Sequence, residues 1–278
     1  MSDTPASIEA LYSAYHRLTA DGWIAETVAV SARRGMAQPI LSFKTKAVGP
    51  ALWILSGIHG EEPAGPNALA EGIDVIRDIG RHMPVVLLPL CNPLGYVSGW
   101  RYLDRPDWQE GVEACSVGDS EHVLRGAAPS SPEASALVAQ VLKLSATHPP
   151  VITADFHEDS LLDEGYVYSQ GSLATQDPVA LAAIEALRTS GIALRMSGKT
   201  RFGEEIAAGV VGPQADGSID ELLAAQSIII DGKPAKGPGA QTVLVIETPA
   251  AMPLPQRTAA HIAVLSRLRD IASRRAAA

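Results

Sequence analysis

Residues 55–65 read Leu-Ser-Gly-Ile-His59-Gly-Glu-Glu62-Pro-Ala-Gly and join an apolar run over residues 51–58 to a segment that can form a helix. This order predicts a buried strand, a short turn and a helix. The turn places His59 and Glu62 three positions apart, and zinc accepts both an imidazole and a carboxylate as ligands. A plainer interpretation is also open, in which the two glutamates complement the dipole of the helix N-terminus. The H-x-x-E spacing alone does not decide between them.

The rest of the chain alternates strand and helix patterns around this junction. Strands are predicted at residues 24–30, 40–46, 51–58, 85–90, 151–157, 166–169, 228–230 and 242–247, and helices at 7–18, 66–77, 132–144, 177–189, 220–225 and 254–274. Two strands that flank a helix form a βαβ unit, and such sheets bear their sites at the carboxyl ends of the strands. We therefore expect one α/β domain over residues 1–278. Residues 92–128 and 197–241 show little periodicity, and the second segment could form a lid or a surface insertion.

The composition argues against several classes of partner. A formal net charge of −9 at pH 7 does not favour binding to nucleic acid or to an anionic membrane surface. Hydrophobic residues make up 46% of the chain, yet no apolar run is long enough to cross a bilayer. Cys91 and Cys115 form neither a CxxC pair nor a disulfide framework, and the first residues lack a secretory signal. We expect a soluble cytoplasmic protein with reduced thiols, and its oligomeric state is left open.

Two further strand ends carry residues that suit a metal centre. His157 ends the predicted strand at 151–157, and strand alternation places Asp155 on the same face. A metal-bound histidine usually donates its second N–H to a carboxylate or carbonyl, so Asp155 is a candidate to orient His157. A histidine satisfied by the backbone is the alternative. Glu247 ends the apolar run at 242–247, where it is paired, functional or exposed, because burying a bare carboxylate is costly. Near zinc, Glu247 could accept a proton from metal-bound water.

These motifs together resemble the zinc metallocarboxypeptidase superfamily, including its succinylglutamate desuccinylase and aspartoacylase branch. The matching pieces, in order from about residue 50 to 250, are His59-Gly-Glu-Glu62, Asn92-Pro-Leu-Gly-Tyr96, Arg101, Asp155-Phe-His157 and Val245-Ile-Glu247. The resemblance implies a zinc exopeptidase-like α/β fold, with a mixed, mostly parallel, twisted sheet of about eight strands flanked by helices.

The resemblance also implies a role for each motif. His59, Glu62 and His157 would bind one Zn²⁺ per chain, with water in the open position, and Glu247 would be the general base and acid. Arg101 would polarise the scissile carbonyl and stabilise its oxyanion. The nearest rival of Arg101 for this role is Arg105, and a surface ion pair is the plainer interpretation of Arg101.

One segment departs from the family pattern. Carboxypeptidases of this family usually carry an Asn-Arg pair that binds the terminal carboxylate of the substrate, but residues 113–122 contain no arginine. Arg125 could substitute from nearby. Alternatively, Asp119 or Glu121 could lie in the pocket and favour an uncharged or cationic group. The candidate substrate-binding residues are Asn92, Arg105, Asp119, Ser120 and Arg125.

The function predicted from these features is zinc-dependent hydrolysis of an amide bond in a peptide, by metal-activated water with a glutamate base. An N-acyl amino acid amidohydrolase of the desuccinylase or aspartoacylase type would use the same residues on a small acylated amino acid. A protein that keeps the metal site for binding without catalysis is a third interpretation, and an α/β protein without metal is a fourth.

Overall fold

The computed structural model describes residues 3–33, 35–103 and 116–277. Its strands are β1 (Ile24–Arg33), β2 (Met36–Lys44), β3 (Ala51–Ser56), β4 (Val85–Leu88), β5 (Pro150–Asp159), β6 (Tyr166–Ser169), β7 (Ser197–Lys199), β8 (Glu205–Ala207), β9 (Val210–Val211), β10 (Ser227–Ile230), β11 (Lys233–Lys236) and β12 (Thr242–Pro249). Within the described ranges, ten of them form one sheet in the order β1-β2-β4-β3-β5-β12-β6-β9-β8-β7, and β10 pairs with β11.

The centre of this sheet is parallel and its flanks are mostly antiparallel. Strands β4, β3, β5 and β12 run parallel to one another. Strands β3, β4 and β12 are nearly continuous apolar runs, as strands buried on both faces require. Strands β1, β2 and β6 join the sheet by antiparallel pairing. The predicted mixed α/β sheet is confirmed. It contains ten strands rather than about eight, because residues 197–211 contribute three short strands, β7 to β9.

Helices cover both faces of the sheet. In the described part of the chain they are α1 (Ile8–Ala20), α2 (Ala64–Glu71), α3 (Ile73–His82), α4 (Pro93–Ser98), α5 (Glu121–Leu124), α6 (Pro132–Ser145), α7 (Pro178–Thr189), α8 (Ile219–Ala224) and α9 (Leu254–Ala277). One core lies beneath α1, α2, α3, α7 and α9, and a second lies on the opposite face beneath α6 and α8. Among the residues described, no helix has the length and apolar character needed to cross a membrane.

Gly72 divides the helix predicted over residues 66–77 into α2 and α3. A Cβ at position 72 would lie 2.8 Å from the carbonyl oxygen of Ala68 and 3.2 Å from a methyl group of Leu265. Glycine therefore allows the break between the two helices to lie directly against α9. The apolar spacing continues across this break, which is why the sequence pattern predicts a single helix.

Candidate metal centre

The turn after β3 carries the first two candidate ligands. Gly57 takes a left-handed backbone conformation, with φ of +64°, and turns the chain out of the sheet. At Gly60 a Cβ would lie 2.0 Å from the carbonyl carbon of Gly95 and 2.4 Å from the carbonyl oxygen of Trp100. The Gly60 N–H donates to the carbonyl oxygen of Arg101 at 3.3 Å. The turn is thus fixed against the segment that leads to Arg101.

His59, Glu62 and His157 converge at the carboxyl ends of β3 and β5. The Nδ1 atom of His59 lies 2.8 Å from Glu62 Oε1 and 3.1 Å from His157 Nδ1. The other oxygen of Glu62, Oε2, lies 2.9 Å from His157 Nδ1. The two histidines are far apart in sequence, yet they form with Glu62 a His–Glu–His group able to hold a metal ion.

This donor set fits a divalent metal ion. Ligands at about 2.0–2.1 Å around a tetrahedral zinc lie roughly 3.3 Å from one another. The three contacts span 2.8 to 3.1 Å, close to that separation. Two ring nitrogens that face each other beside a carboxylate need a shared proton or a shared cation, because each lone pair otherwise repels the others.

Burial and charge shift the pKa values of the three groups in different directions. Burial lowers the pKa of His59. Burial also disfavours the charged form of His157, but Asp155 and Glu62 outweigh it and raise the pKa of His157. For Glu62, burial opposes ionisation, yet the two imidazoles dominate and lower the pKa of its carboxyl group. The Glu62 carboxyl is therefore ionised at neutral pH, which is the form that binds a metal.

Two buried carboxyl groups lie behind His157. Asp155 Oδ2 is 3.1 Å from His157 Nε2, although the contact is poorly aligned for a hydrogen bond. Asp220, in α8, places a carboxyl oxygen within 4.8 Å of ligand atoms of both residues. Burial, followed by the neighbouring charge of Asp155, raises the pKa of Asp220 well above its usual value. Asp155 thus lies where the sequence predicts a partner of His157, and Asp220 adds a second carboxyl there.

Glu62 is held in place from the protein interior. Its Oε2 accepts a hydrogen bond from the backbone N–H of Glu158 at 3.2 Å. The Glu158 side chain accepts a hydrogen bond from the N–H of Ala64, at the start of α2, at 2.7 Å. The same side chain forms an ion pair with Arg257 of α9. Helices α2 and α9 therefore fix the strand segment that supports Glu62.

Glu247 lies on β12 at the level of His157. The two residues are direct partners in the parallel ladder between β12 and β5, so their side chains point to the same face of the sheet. Burial raises the pKa of Glu247 to about 8, and its Oε2 has no hydrogen-bond partner in the described part of the chain. A carboxyl group with an unpaired oxygen and a pKa near neutrality is suited to accept and return a proton.

Arg101 contacts the metal-binding group directly. Its Nη1 lies 3.0 Å from Glu62 Oε1 and 3.3 Å from Glu61 Oε1. Asn92, which is fully buried, holds the backbone there: its Nδ2 donates to the Arg101 carbonyl oxygen at 3.2 Å. Its Oδ1 accepts from the N–H of Gly95 at 2.9 Å, which caps α4. The structure thus places Asn92 beneath the Arg101 loop, where it supports the backbone.

Comparison with known proteins identifies the fold. No protein-family model and no curated protein matches the sequence. A protein from Shewanella amazonensis assigned to the metallopeptidases superimposes with a TM-score of 0.75 at 22% identity, over 95% of this chain and 92% of that one. A metallo-carboxypeptidase from Burkholderia cenocepacia gives a TM-score of 0.62 at 15% identity, over 96% of this chain and 69% of that one. The chain has the metallocarboxypeptidase fold.

A third neighbour matches over nearly the whole of both chains. Bovine thrombin-activatable fibrinolysis inhibitor, in complex with tick carboxypeptidase inhibitor, gives a TM-score of 0.63 at 16% identity. The alignment covers 98% of this chain and 97% of that one. Likeness at these identities establishes the metallocarboxypeptidase fold alone.

Beside the metal-binding group, the metallocarboxypeptidase fold opens into a cavity of about 550 Å³. Of the residues that the sequence singles out, this cavity brings together His59, His157, Glu247, Arg101 and Asp119. The sequence does not single out several others that line it, among them Tyr168, Phe202, Glu204, Asp216 and Asp220. The cavity therefore joins the predicted metal centre to a wall that the sequence motifs do not define.

Two other candidate substrate residues are not among the residues that line this cavity. Ser120 is fully buried, and its backbone N–H donates to the carbonyl oxygen of Gly217, just before α8, at 2.7 Å. Arg125 forms ion pairs with Glu121 at 3.2 Å and with Glu221 at 2.8 Å. Neither Ser120 nor Arg125 lines the cavity. Arg105 lies outside the described residues.

Residues 197–241 supply much of the cavity wall. Phe202 and Glu204 lie between β7 and β8, and Asp220 lies in the first turn of α8. An acidic residue is common in a first helical turn because it complements the helix dipole, so Asp220 gives little signal in the sequence. Its position beside Ile219 and before Leu222, both buried, is the one indication that this carboxyl faces the interior.

Proposed function

We propose that this protein is a zinc-dependent hydrolase that cleaves an amide bond in a peptide. The observation that carries the proposal is the convergence of His59, Glu62 and His157 beside a cavity whose lining includes Glu247 and Arg101. Metal ligands, a carboxyl group of raised pKa and a guanidinium in one cavity are the parts that metal-assisted amide hydrolysis needs.

His59, Glu62 and His157 would hold one Zn²⁺ per chain, since catalytic zinc sites take three protein ligands and keep one position open. Bound there, the ion supplies Lewis acidity, which lowers the pKa of a water molecule and polarises the scissile carbonyl. Asp155 orients the His157 ring. The Asp155 carboxyl group faces Nε2 of His157, which leaves Nδ1 of His157 facing Glu62 and free to bind the metal.

Glu247 performs the proton transfers. Its Oε2 takes a proton from the attacking water and returns it to the leaving amine, so the carboxyl group ends the cycle in its starting state. Burial holds the pKa of Glu247 at about 8. A divalent cation beside the carboxyl group lowers that pKa and leaves it ionised and ready to accept the proton.

Arg101 stabilises the negative charge that develops on the scissile oxygen. Arg101 lines the cavity, and its Nη1 lies 3.0 Å from Oε1 of Glu62, one of the proposed metal ligands. The buried Asn92 fixes the backbone of the loop, so the guanidinium is in place before the reaction begins. A donor fixed in this way contributes roughly 3–4 kcal/mol in enzymes where it has been removed.

A peptide is the substrate class that the comparisons support best. Bovine thrombin-activatable fibrinolysis inhibitor, which shares the fold, binds a carboxypeptidase inhibitor. A small N-acyl amino acid would use the same metal and base, so both substrate classes belong in one assay.

The proposal is tested with the full-length protein, first purified without added metal and then loaded with Zn²⁺. We expect one zinc per chain by elemental analysis, and hydrolysis of short peptides that stops with a chelator and returns with zinc. Turnover of N-acyl amino acids without turnover of peptides would assign the amidohydrolase reaction instead. A protein that binds no zinc and hydrolyses neither class would overturn the proposal.

A further inference from the structure

Carboxyl groups outnumber cations in the described lining of the cavity beside the metal-binding group. These carboxyl groups belong to Asp119, Glu204, Asp216, Asp220 and Glu247. Among the described lining residues, Arg101 is the only arginine or lysine, and its guanidinium already pairs with Glu61 and Glu62. The acidic wall formed by Asp119, Asp216 and Asp220 therefore has no arginine or lysine partner among the described lining residues.

The hydrogen bonds of this wall do not neutralise its charge. Asp119 Oδ1 accepts from the backbone N–H of Glu121 at 3.0 Å, and Asp216 Oδ1 accepts from the backbone N–H of Ser218 at 3.0 Å. Both donors are neutral, and both bonds fix the direction of the carboxylate. An isolated bridge between Asp119 and Ser218 brings the two segments side by side.

Asp220 is the buried member of this wall. Its side chain lines the cavity, the residue is only 5% exposed, and Oδ1 has no hydrogen-bond partner among the described residues. A buried carboxyl group without a partner costs free energy, and a bound ligand with donors would remove that cost. Asp220 therefore brings to the cavity a buried carboxyl group that no described residue satisfies by a hydrogen bond.

We propose that Asp220, with Asp119 and Asp216, binds a positively charged group of the substrate, an ammonium or a guanidinium. This inference rests on the proposed function in one respect: the ligand is taken to be the substrate of the hydrolase. Carboxyl groups that line one cavity match such a group, which presents several N–H donors and a full positive charge. A cation beside a buried carboxyl group also lowers the pKa of that group and leaves it ionised. The same carboxylates repel the carboxylate of an acidic side chain.

A different role for Asp220 predicts a different result. Asp220 also lies within 4.8 Å of ligand atoms of His157 and Asp155, so it could act only by supporting the His157 ring. Loss of such support would weaken zinc binding and would slow the reaction of all substrates by the same factor. Recognition of a cation would change the ratio between charged and neutral ligands.

The test uses zinc-loaded full-length protein and three matched ligands, benzoylglycyl-lysine, benzoylglycyl-norleucine and benzoylglycyl-glutamate. Dissociation constants are measured by calorimetry with the zinc-loaded Glu247→Gln protein, which is expected not to consume the ligands, and hydrolysis is measured by initial rates with Glu247 intact. We expect the lysine ligand to bind about tenfold more tightly than the norleucine ligand, and the glutamate ligand to bind most weakly. Equal affinities, tightest binding of the glutamate ligand, or no binding of any of the three would overturn the inference.

Substitution assigns the preference to the acidic wall. Asp220→Asn should reduce the lysine-to-norleucine affinity ratio to within about threefold. Asp119→Asn, at a partly exposed position, should reduce the ratio less and serves if Asp220→Asn does not fold. Asp231→Asn makes the same change of charge in the exposed β10–β11 turn and should keep the wild-type ratio. An unchanged ratio in the wall variants, or an equal loss of affinity for all three ligands, would contradict cation recognition.

The two proposals fail in distinguishable ways. If the protein binds the lysine ligand selectively but hydrolyses no peptide or N-acyl amino acid, the hydrolase proposal fails and the cation site stands. If it hydrolyses the three peptides without preference, the hydrolase proposal stands and the cation site fails.

Discussion

The metal-binding group and the acidic wall share one cavity but are built in different ways. His157 and Glu247 lie on adjacent parallel strands, where the ladder fixes their relative positions. A shift of register there would move buried apolar side chains to the wrong face of the sheet. Asp119 and Asp220 lie on separate segments outside the central strands, and an isolated bridge joins these segments. Such connecting segments tolerate changes that a central strand does not.

This difference separates two kinds of task. Groups on the strand ends keep the geometry that bond cleavage needs, and a change there should affect every substrate alike. Groups on the wall meet only part of the substrate, and a change there should alter selectivity while the metal stays bound. Substitutions on each side can test this division.

The largest effect is expected on the strand-end side, at Glu247. Replacing Glu247 with Gln removes the group that moves the proton, and kcat should fall about 10²- to 10⁴-fold for every substrate. Zinc content by elemental analysis should stay at the wild-type value, because the three proposed ligands are intact. Glu185→Gln, on the exposed face of α7, is the control and should keep full activity. Wild-type turnover by the Glu247→Gln protein would remove Glu247 from its role.

The support behind Glu62 should carry the next largest effect. Arg257→Gln leaves the fully buried Glu158 carboxylate without its cation, and the free energy of unfolding should fall by about 3 kcal/mol. Denaturant titration measures the change. Arg188→Gln removes an exposed ion pair with Glu185 and should cost less than about 0.5 kcal/mol. Equal losses in the two variants would show that the buried pair does not stabilise the centre.

Asp155 tests whether the centre extends behind its ligands. Asp155→Asn should weaken zinc binding about 10- to 100-fold, because the amide no longer orients the His157 ring as a carboxylate does. Competition with a metal-binding dye measures the affinity. Asp163→Asn, at an exposed site a few residues along the chain, should bind zinc as the wild type does. Unchanged affinity in the Asp155 variant would show that the 3.1 Å contact with Nε2 does not support the metal.

The same division decides how much the sequence could predict. His59, Glu62, His157 and Glu247 stand at the ends of apolar runs, and short motifs mark them, so their position at one edge of the sheet could be inferred from the order of strands.

The wall could not be inferred in this way. The segments that carry Asp119 and Asp220 meet at the bridge between Asp119 and Ser218, residues about 100 positions apart, and no local pattern encodes such a contact. Strands β7 to β9 are two or three residues long, too short for an alternating pattern to show. The helix break at Gly72 could not be predicted, because the apolar spacing continues across it and the break depends on the close approach of α9.

The smallest effect separates stability from selectivity within the wall. Ser218 lines the cavity and caps α8, where its Oγ accepts a hydrogen bond from the N–H of Glu221 at 3.2 Å. Ser218→Ala should lower the free energy of unfolding by about 1 kcal/mol and raise KM for a lysine peptide about threefold. Thermal unfolding and initial rates measure the two effects.

Ser7→Ala is the matched control, because Ser7 caps α1 through the same kind of bond, to the N–H of Ala10 at 3.3 Å. It should cost similar stability without a change in KM, since Ser7 lies outside the cavity lining. If both variants raise KM equally, general loss of stability explains the result, and α8 does not position the wall. If Ser218→Ala alone raises KM with zinc still bound, the wall sets selectivity independently of the metal centre.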